Sequence, residues 1–246
     1  MCPRALLFII FTLNCSPMAW AAKPVAQLHV IVALVDNASQ GIVPVPAKIG
    51  NGDDAFNNLY WGAAFGVKTF LTRAQGWTNV GCNKDVSNVI LERCTFTYLD
   101  KLRVTAEAWR GKHIDQAMLA FMQAAATPPA SNAPEMVMFV GHDGLMDAVH
   151  AKLPQTFAKH TGHAKQAAVL ACYSDRFFRS HLVAAGAQPS VTTYSLMAPE
   201  GYVVEAIARS FATGGDPTAQ RRAAGLAYAQ YQRITPRAGL GVFGVK

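Results

Sequence analysis

The feature that most constrains the fold of this chain is a series of short, strand-like runs of apolar and β-branched residues. The runs are 28–35, 102–108, 136–140, 167–171 and 191–196. Short runs of this kind, bounded by turn residues, are typical of strands buried on both faces of a parallel sheet. Segments with helical three-to-four spacing lie between or after them, for example 114–125 and 202–211. The alternation predicts an α/β fold with a mostly parallel, helix-flanked sheet of about six strands.

Further elements are predicted from the same spacing rules. Apolar side chains recur at three-to-four spacing after Asp53 and Asp54, so we expect a helix over 53–71 with acidic residues at its positive end. Helices are also expected near 150–159, over 177–185 and over 217–234. The run 239–245 is expected to be a last edge strand.

The N-terminus has the pattern of a secretory signal peptide. Arg4 is followed by an apolar stretch over 5–13 and then by the small-x-small triplet Ala19-Trp20-Ala21. We expect cleavage of residues 1–22, which leaves 23–246 as a single domain that is exported, either periplasmic or secreted. No run reaches the ~18 apolar residues that a membrane span requires, so we expect a soluble mature chain without a transmembrane segment.

Export determines the expected state of the cysteines. Removal of the signal peptide leaves Cys82, Cys94 and Cys172, and disulfides form and persist in exported proteins. Cys82 and Cys94 bracket a short segment and are expected to close a small hairpin-like excursion from the domain. Cys172 is then left over, and it is either a candidate reactive thiol or a small buried apolar side chain.

Composition and motifs argue against several classes of function. The chain has 22 Lys and Arg residues against 15 Asp and Glu, but the basic residues are scattered, which disfavours nucleic acid as a partner. It contains no Gly-x-Ser-x-Gly elbow and no Walker-type glycine loop. His160 and His163 have a spacing found in metal sites, but no acidic or thiolate residue lies near them in sequence. We therefore expect no metal and no cofactor.

Chemically active residues follow three of the predicted strands at the point where each strand ends. Asp36 and Asn37 come after the first strand, His142 after the third and Cys172 after the fourth. Ligands of parallel α/β sheets bind outside the carboxyl ends of the strands. We expect these side chains to meet at one edge of the sheet, where a thiol and a histidine are the minimum apparatus for nucleophilic catalysis.

Two of these strand ends carry a resemblance to a known family. The blocks MVMFV-GHDG at 136–144 and AAVL-AC at 167–172 resemble those of caspase-fold cysteine peptidases, the clan that includes caspases, legumains, gingipains, separases and CHAT domains. The resemblance covers roughly residues 27–215. It implies a caspase-like α/β/α sandwich, a peptide or protein substrate, and hydrolysis through a thioester acyl-enzyme.

The resemblance also implies a role for each site residue. Cys172 would be the nucleophile and His142 the general base. Asn37, or Asp36, would orient the imidazole, as an Asn at the end of the first strand does in legumain-like members. The backbone amide of Cys172 and that of the glycine after the histidine would stabilise the oxyanion.

Asp143 departs from the family pattern, because it stands between His142 and Gly144 where the family usually has Gly directly after His. Either the Gly144 amide reaches the site after a one-residue shift of the loop, or Asp143 supplies the amide and the oxyanion hole is built differently. Asp143 is otherwise a turn residue or a group that binds a basic part of the substrate. Two alternatives stay open: a catalytically silent caspase-like domain that binds a peptide or partner protein, and an unrelated periplasmic α/β domain.

Overall fold

The computed structural model describes residues 25–129, 135–146 and 165–245, which contain one seven-stranded sheet with helices on both faces. The strands are β1 (Ala26–Ala33), β2 (Trp77–Lys84), β3 (Ile90–Tyr98), β4 (Leu102–Trp109), β5 (Glu135–Val140), β6 (Gln166–Leu170) and β7 (Gln188–Val191). Their order across the sheet is β2-β3-β4-β1-β5-β6-β7. The five strands β4, β1, β5, β6 and β7 run parallel to one another. β2 and β3 form a hairpin, and β3 pairs antiparallel with β4. The predicted α/β fold is confirmed, and the hairpin enlarges the sheet beyond the expected six strands.

Helices pack against both faces of the sheet. They are α1 (Val67–Arg73), α2 (Ile114–Ala126), α3 (Ser174–Ala184), α4 (Gly201–Ala212), α5 (Pro217–Gln232) and α6 (Pro236–Val242). Residues of α1, α4 and α5 share one core with Val30 and Val32 of β1, whereas α2 and α3 share the other with Ile31 and Ala33. Alternate residues of a strand point to opposite faces, which explains why β1 is continuously apolar from Val30 to Ala33. None of the helices in the described ranges has the length and apolar character that a membrane crossing requires.

The hairpin of β2 and β3 contains the predicted disulfide. Cys82 lies directly opposite Cys94 in the antiparallel pair, and their Cα atoms are 4.0 Å apart. Cys94 is fully buried in the core that faces α1 and α4. The predicted pairing is therefore confirmed, and the bridge joins an outer strand of the sheet to a strand with a buried face.

The segment 53–71, expected to be one helix, is instead mostly a series of turns, and only α1 at its end is helical. The buried side chain of Asn58 organises these turns. Its Nδ2 donates to the carbonyl oxygens of Val35 and Asn51, at 2.9 Å each, and its Oδ1 accepts from the Tyr60 N–H at 3.1 Å. A side-chain amide that binds backbone groups competes with the helix, and apolar periodicity does not reveal this competition.

The prediction of an edge strand over 239–245 is wrong, because most of this segment belongs to α6. Proline is the first residue of this helix, and the Thr235 side chain caps it by accepting from the Ala238 N–H at 3.2 Å. Both features are typical of helix starts. The helix expected near 150–159 lies outside the described residues, whereas those expected over 114–125, 177–185, 202–211 and 217–234 are confirmed with small shifts of their ends.

The strand expected over 191–196 is also wrong in its extent, because β7 ends at Val191. Beyond it the backbone leaves the sheet and binds the start of α3. The Thr193 carbonyl accepts from the Asp175 N–H, and the Ser195 carbonyl accepts from the Tyr173 N–H, both at 3.0 Å. Residues 192–196, which have the composition of a strand, therefore form a loop that lies beside Cys172.

Glu107 of β4 is a buried carboxylate with three side-chain partners. Its Oε1 accepts from Arg93 Nε at 2.7 Å, and its Oε2 accepts from Trp109 Nε1 at 3.0 Å. His29 Nε2 lies 3.2 Å from Oε2. Burial by itself raises the pKa of Glu107, but its interactions with His29, Arg93 and Trp109 outweigh burial and lower the pKa from 4.5 to about 2.

We expect part of the stability to be lost in acid through Glu107. The contribution is fully present above a pH of about 4.5 and is lost as the pH falls through about 2, because the folded state then loses its preference for the carboxylate. It amounts to about 2–3 kcal/mol. Urea unfolding between roughly pH 6 and pH 2 measures it. Glu107→Gln should flatten this part of the profile, whereas the exposed-turn variant Asp100→Asn should not. Parallel profiles for wild type and Glu107→Gln would contradict the prediction.

Candidate active site

His142 and Cys172 follow neighbouring parallel strands. β5 pairs with β6, with Val140 opposite Leu170, and the Gly141 N–H extends the ladder to the Leu170 carbonyl at 3.1 Å. His142 and Cys172 each stand two residues after the last residue of their strand, Val140 and Leu170, and adjacent strands are ~4.8 Å apart. The structure thus brings the two predicted residues to the carboxyl edge of the sheet on adjacent strand ends.

The thiol of Cys172 is free and half-buried. The Met197 N–H donates to Sγ at 3.5 Å, and the thiol donates to the Met197 carbonyl at 3.6 Å. Burial raises the pKa of Cys172, the Met197 N–H lowers it, and the nearby charge of Asp143 raises it further, so that the net shift is upward. The resting group is therefore a thiol rather than a thiolate.

A tight turn carries the chain from Cys172 into α3. Tyr173 adopts φ 49° and ψ 29°, the left-handed region that bulky residues rarely occupy. The bond from its N–H to the Ser195 carbonyl helps to hold it there. Such a conformation costs about 1–2 kcal/mol, and unfavourable backbone of this kind is concentrated at functional sites.

Two buried hydroxyls brace the backbone below the thiol. Ser174 Oγ donates to the Val169 carbonyl at 2.8 Å, and Thr193 Oγ1 donates to the Ala171 carbonyl. The first amide of α3, that of Ser174, donates in turn to Thr193 Oγ1 at 3.1 Å. These bonds tie together the ends of β6 and β7 and the start of α3, so the position of Cys172 is fixed by three elements.

His142 is half-buried, and the next residue, Asp143, is fully buried. The Asp143 carboxylate accepts from the Leu145 N–H at 3.0 Å, and its carbonyl accepts from the Met146 N–H at 3.1 Å. Asp143 therefore has the local turn role that its sequence setting indicated, and its carboxylate also acts on the Cys172 thiol through space.

The backbone amides expected to form an oxyanion hole are those of Cys172 and of either Gly144 or Asp143. In the described parts of the chain the N–H groups of Cys172 and Gly144 have no acceptor in hydrogen-bonding geometry. In contrast, the amides of Ser174 and Asp175 are both occupied by Thr193. The donors left for a substrate oxygen are thus those at the two strand ends rather than those inside α3.

The side chains of Asn37 and Asp36 bind their own loop. Asn37 Nδ2 donates to the Val45 carbonyl at 2.7 Å, and the Val45 N–H donates back to Oδ1 at 3.0 Å. The carboxylate of Asp36 accepts from the Ala38 N–H at 3.3 Å and from Ser39 Oγ at 2.5 Å. Both residues lie at the expected edge of the sheet, and these contacts shape the loop after β1. Orientation of the imidazole by either residue stays a prediction.

The sequence pattern did not identify several groups that surround Cys172. Burial raises the pKa of Tyr60 and of Tyr228, and electrostatic interactions with Cys172 and Glu200 contribute in both cases. Glu200 accepts from the Tyr202 hydroxyl at 2.7 Å. Tyr60 and Tyr228 have the signals of core residues, an aromatic ring in an apolar pattern, and these do not distinguish the wall of a site from any other core.

Exposed apolar side chains occur in the loops that follow β1 and β7. Val43 and Phe56, in the loops after β1, are 88% and 80% exposed, and Tyr194 and Leu196, after β7, are 47% and 64% exposed. Single exposed apolar residues are ordinary on protein surfaces, but Tyr194 and Leu196 belong to the segment whose residue Met197 contacts the thiol.

In the segments that the structure describes, the one group of potential metal ligands close enough to share an ion is Cys82, Glu92 and Cys94. The two cysteines are joined in the disulfide, and the Glu92 carboxylate binds Trp61 Nε1 and Lys68 Nζ, at 2.6 Å each. With the disulfide formed, these residues have a structural role, because Glu92 links the hairpin to Lys68 of α1. It lies away from the edge that carries Cys172.

The fold and site define a class: a helix-flanked, mostly parallel α/β sheet with a free thiol and a histidine on adjacent strand ends. Comparison of the chain with protein-family models, with curated proteins and with solved structures found no match. The functional argument therefore depends on the geometry of this chain.

Proposed function

We propose that this protein is an exported cysteine endopeptidase in which Cys172 is the nucleophile and His142 the general base. The observation that supports the proposal is the parallel pairing of β5 with β6, because His142 and Cys172 each follow one of these neighbouring strands by two residues at the carboxyl edge of the sheet. The disulfide supports export, because such bonds form and persist outside the cytoplasm.

The raised pKa of Cys172 determines how such a site works. Since burial keeps the thiol protonated, His142 accepts its proton as the sulfur attacks the substrate carbonyl, rather than holding a preformed ion pair. The amides of Cys172 and Gly144 stabilise the oxyanion. His142 then returns the proton to the leaving amine, and water hydrolyses the thioester.

The proposed substrate is a polypeptide. The exposed side chains of Tyr194 and Leu196 offer apolar contact area in the segment whose residue Met197 contacts the thiol. Such a surface suits an extended peptide better than a small, polar amide.

The test is selective labelling of the folded protein with a peptidyl electrophile. We expect Cys172 to react at least about tenfold faster than a peptide thiol at the same pH, because His142 assists its deprotonation. Mass mapping locates the label, and denatured protein provides the reference rate. A folded-state rate no higher than that of the peptide thiol would exclude the enzyme.

A second candidate, a catalytically silent domain that binds a peptide through the same cleft, is favoured by one observation. Burial and the charge of Asp143 both act against ionisation of Cys172. Asp143→Asn separates the two candidates, because Asn keeps the acceptor for the Leu145 N–H but removes the charge. Faster labelling together with first-time peptide cleavage in this variant would favour the silent domain for the wild type.

A further inference from the structure

A chain of hydrogen bonds connects Cys172 to α5, which lies on the core side of the site. Met197 contacts the sulfur through its N–H and its carbonyl, at 3.5 and 3.6 Å. The next residue, Ala198, donates its N–H to the hydroxyl oxygen of Tyr228 at 3.2 Å. The ring of Tyr228 is 7% exposed and packs edge-on against Phe243, with ring centroids 5.9 Å apart. The hydroxyl is thus presented from a packed, rigid position.

We infer that Tyr228 is a positioning residue for Cys172: its hydroxyl fixes Ala198, and Ala198 holds the backbone of Met197 against the thiol sulfur. This inference deepens the proposed function, since it concerns the same thiol. Its geometry does not depend on whether the protein cleaves peptides, so the two can fail separately.

The physical reason is that the segment carrying Met197 lies beyond the end of β7 and has no sheet ladder of its own. It is held on one side by Tyr173, whose N–H binds the Ser195 carbonyl, and on the other by Tyr228. Hydrogen bonds to sulfur are long and weak, so they do not fix a loop by themselves. Without the Tyr228 hydroxyl, the residue next to Met197 loses its hydrogen bond to α5, and we expect the distance from the Met197 N–H to the sulfur to increase.

The consequence concerns the acidity of the thiol. Burial raises the pKa of Cys172, and the Met197 N–H opposes this effect because a donor to sulfur stabilises the thiolate. Loss of that donor should therefore raise the pKa further and leave less thiolate at any given pH. A purely structural role for Tyr228 would change the stability of the fold but not the pH dependence of thiol reactivity.

The experiment is the pH profile of Cys172 alkylation by iodoacetamide in the folded, full-length mature chain. Tyr228→Phe removes the hydroxyl and keeps the ring. Tyr231→Phe is the matched control, because Tyr231 lies on the same helix and its ring stacks on Tyr202 at 4.4 Å. We expect Tyr228→Phe to slow alkylation near pH 8 by about three- to tenfold and to move the profile to higher pH, since the thiolate is the reacting form. Tyr231→Phe should match the wild type.

Coincident profiles for Tyr228→Phe, Tyr231→Phe and wild type would overturn the inference. Should Tyr228→Phe not fold, amide hydrogen exchange of the wild type decides instead: the Ala198 amide should be protected relative to that of Leu196, and equal exchange overturns the inference. Peptide cleavage is measured on the same samples. If Tyr228→Phe shifts the alkylation profile but the wild type cleaves no peptide, Tyr228 is a positioning residue and the protein is not a peptidase. If the wild type cleaves peptides but the profile does not shift, the protein is a peptidase and Tyr228 is not a positioning residue.

Discussion

Peptide hydrolysis by this protein is expected to fall by at least about 10³-fold when Cys172 is replaced by alanine. The expected loss is this large because a nucleophile and its base act as a unit, so that removal of either leaves only the contributions of binding and oxyanion stabilisation. Cys172 is the free cysteine of the described chain, and its neighbours fix it at the start of α3. A peptide library incubated with wild type and Cys172→Ala, and analysed by mass spectrometry, measures the effect.

Ser195→Ala is the matched control for this experiment. The Ser195 hydroxyl donates only to the carbonyl of the following residue, at 3.1 Å, and the bond from Tyr173 to the Ser195 backbone is retained. The substitution thus alters the segment beside the thiol without touching the sulfur, and we expect activity within about twofold of wild type. Hydrolysis that survives in Cys172→Ala would show that another group is the nucleophile.

Replacement of His142 by alanine is expected to lower kcat by about 10²–10⁴-fold, the usual contribution of a general base. Because the pKa of Cys172 is raised, mainly by burial, the thiol depends on a base to ionise at neutral pH. We therefore expect His142→Ala also to slow alkylation of Cys172 at neutral pH, and we expect the difference from wild type to shrink in alkali, where hydroxide deprotonates the thiol.

His181→Ala serves as the matched control, because His181 is also half-buried and lies on α3, the helix that begins at the site. It should leave both the turnover and the alkylation profile unchanged. If His142→Ala cleaves peptides as fast as the wild type, the dyad is wrong even though its two members follow adjacent strands. If His142→Ala and His181→Ala lower turnover by the same factor, the assignment of His142 as the general base is also wrong.

The strands could be predicted because their signal is local. Burial of both faces of a strand requires an apolar run, and such runs identify the end of β1 and most of β5 and β6 without reference to the rest of the fold. β4 was predicted from its apolar residues although Arg103, Thr105 and Glu107 interrupt them. The parallel arrangement followed from alternation with helices. The Cys82–Cys94 bridge also followed from local information, since the short separation and the expectation of export left one plausible pairing.

The errors arose where a partner distant in sequence determines the backbone. The segment 53–71 has helical periodicity, but the Asn58 side chain binds the Val35 carbonyl and the chain turns instead. The end of β7 has strand-like composition, yet the residues after Val191 bond to the start of α3. In both cases a bond formed only in the folded chain outweighs a local preference of a fraction of a kcal/mol per residue.

By itself the sequence determined the α/β class, the disulfide, and the position of His142 and Cys172 at strand ends, because each of these follows from short-range patterns of burial and turns. The tertiary structure alone decided the chemistry around the thiol. Met197, Tyr228 and Asp143 come from three separate parts of the chain, and their effect on Cys172 depends on distances and desolvation that exist only after the sheet has formed. Acidity and hydrogen bonding vary steeply with such distances, whereas strand-forming patterns do not.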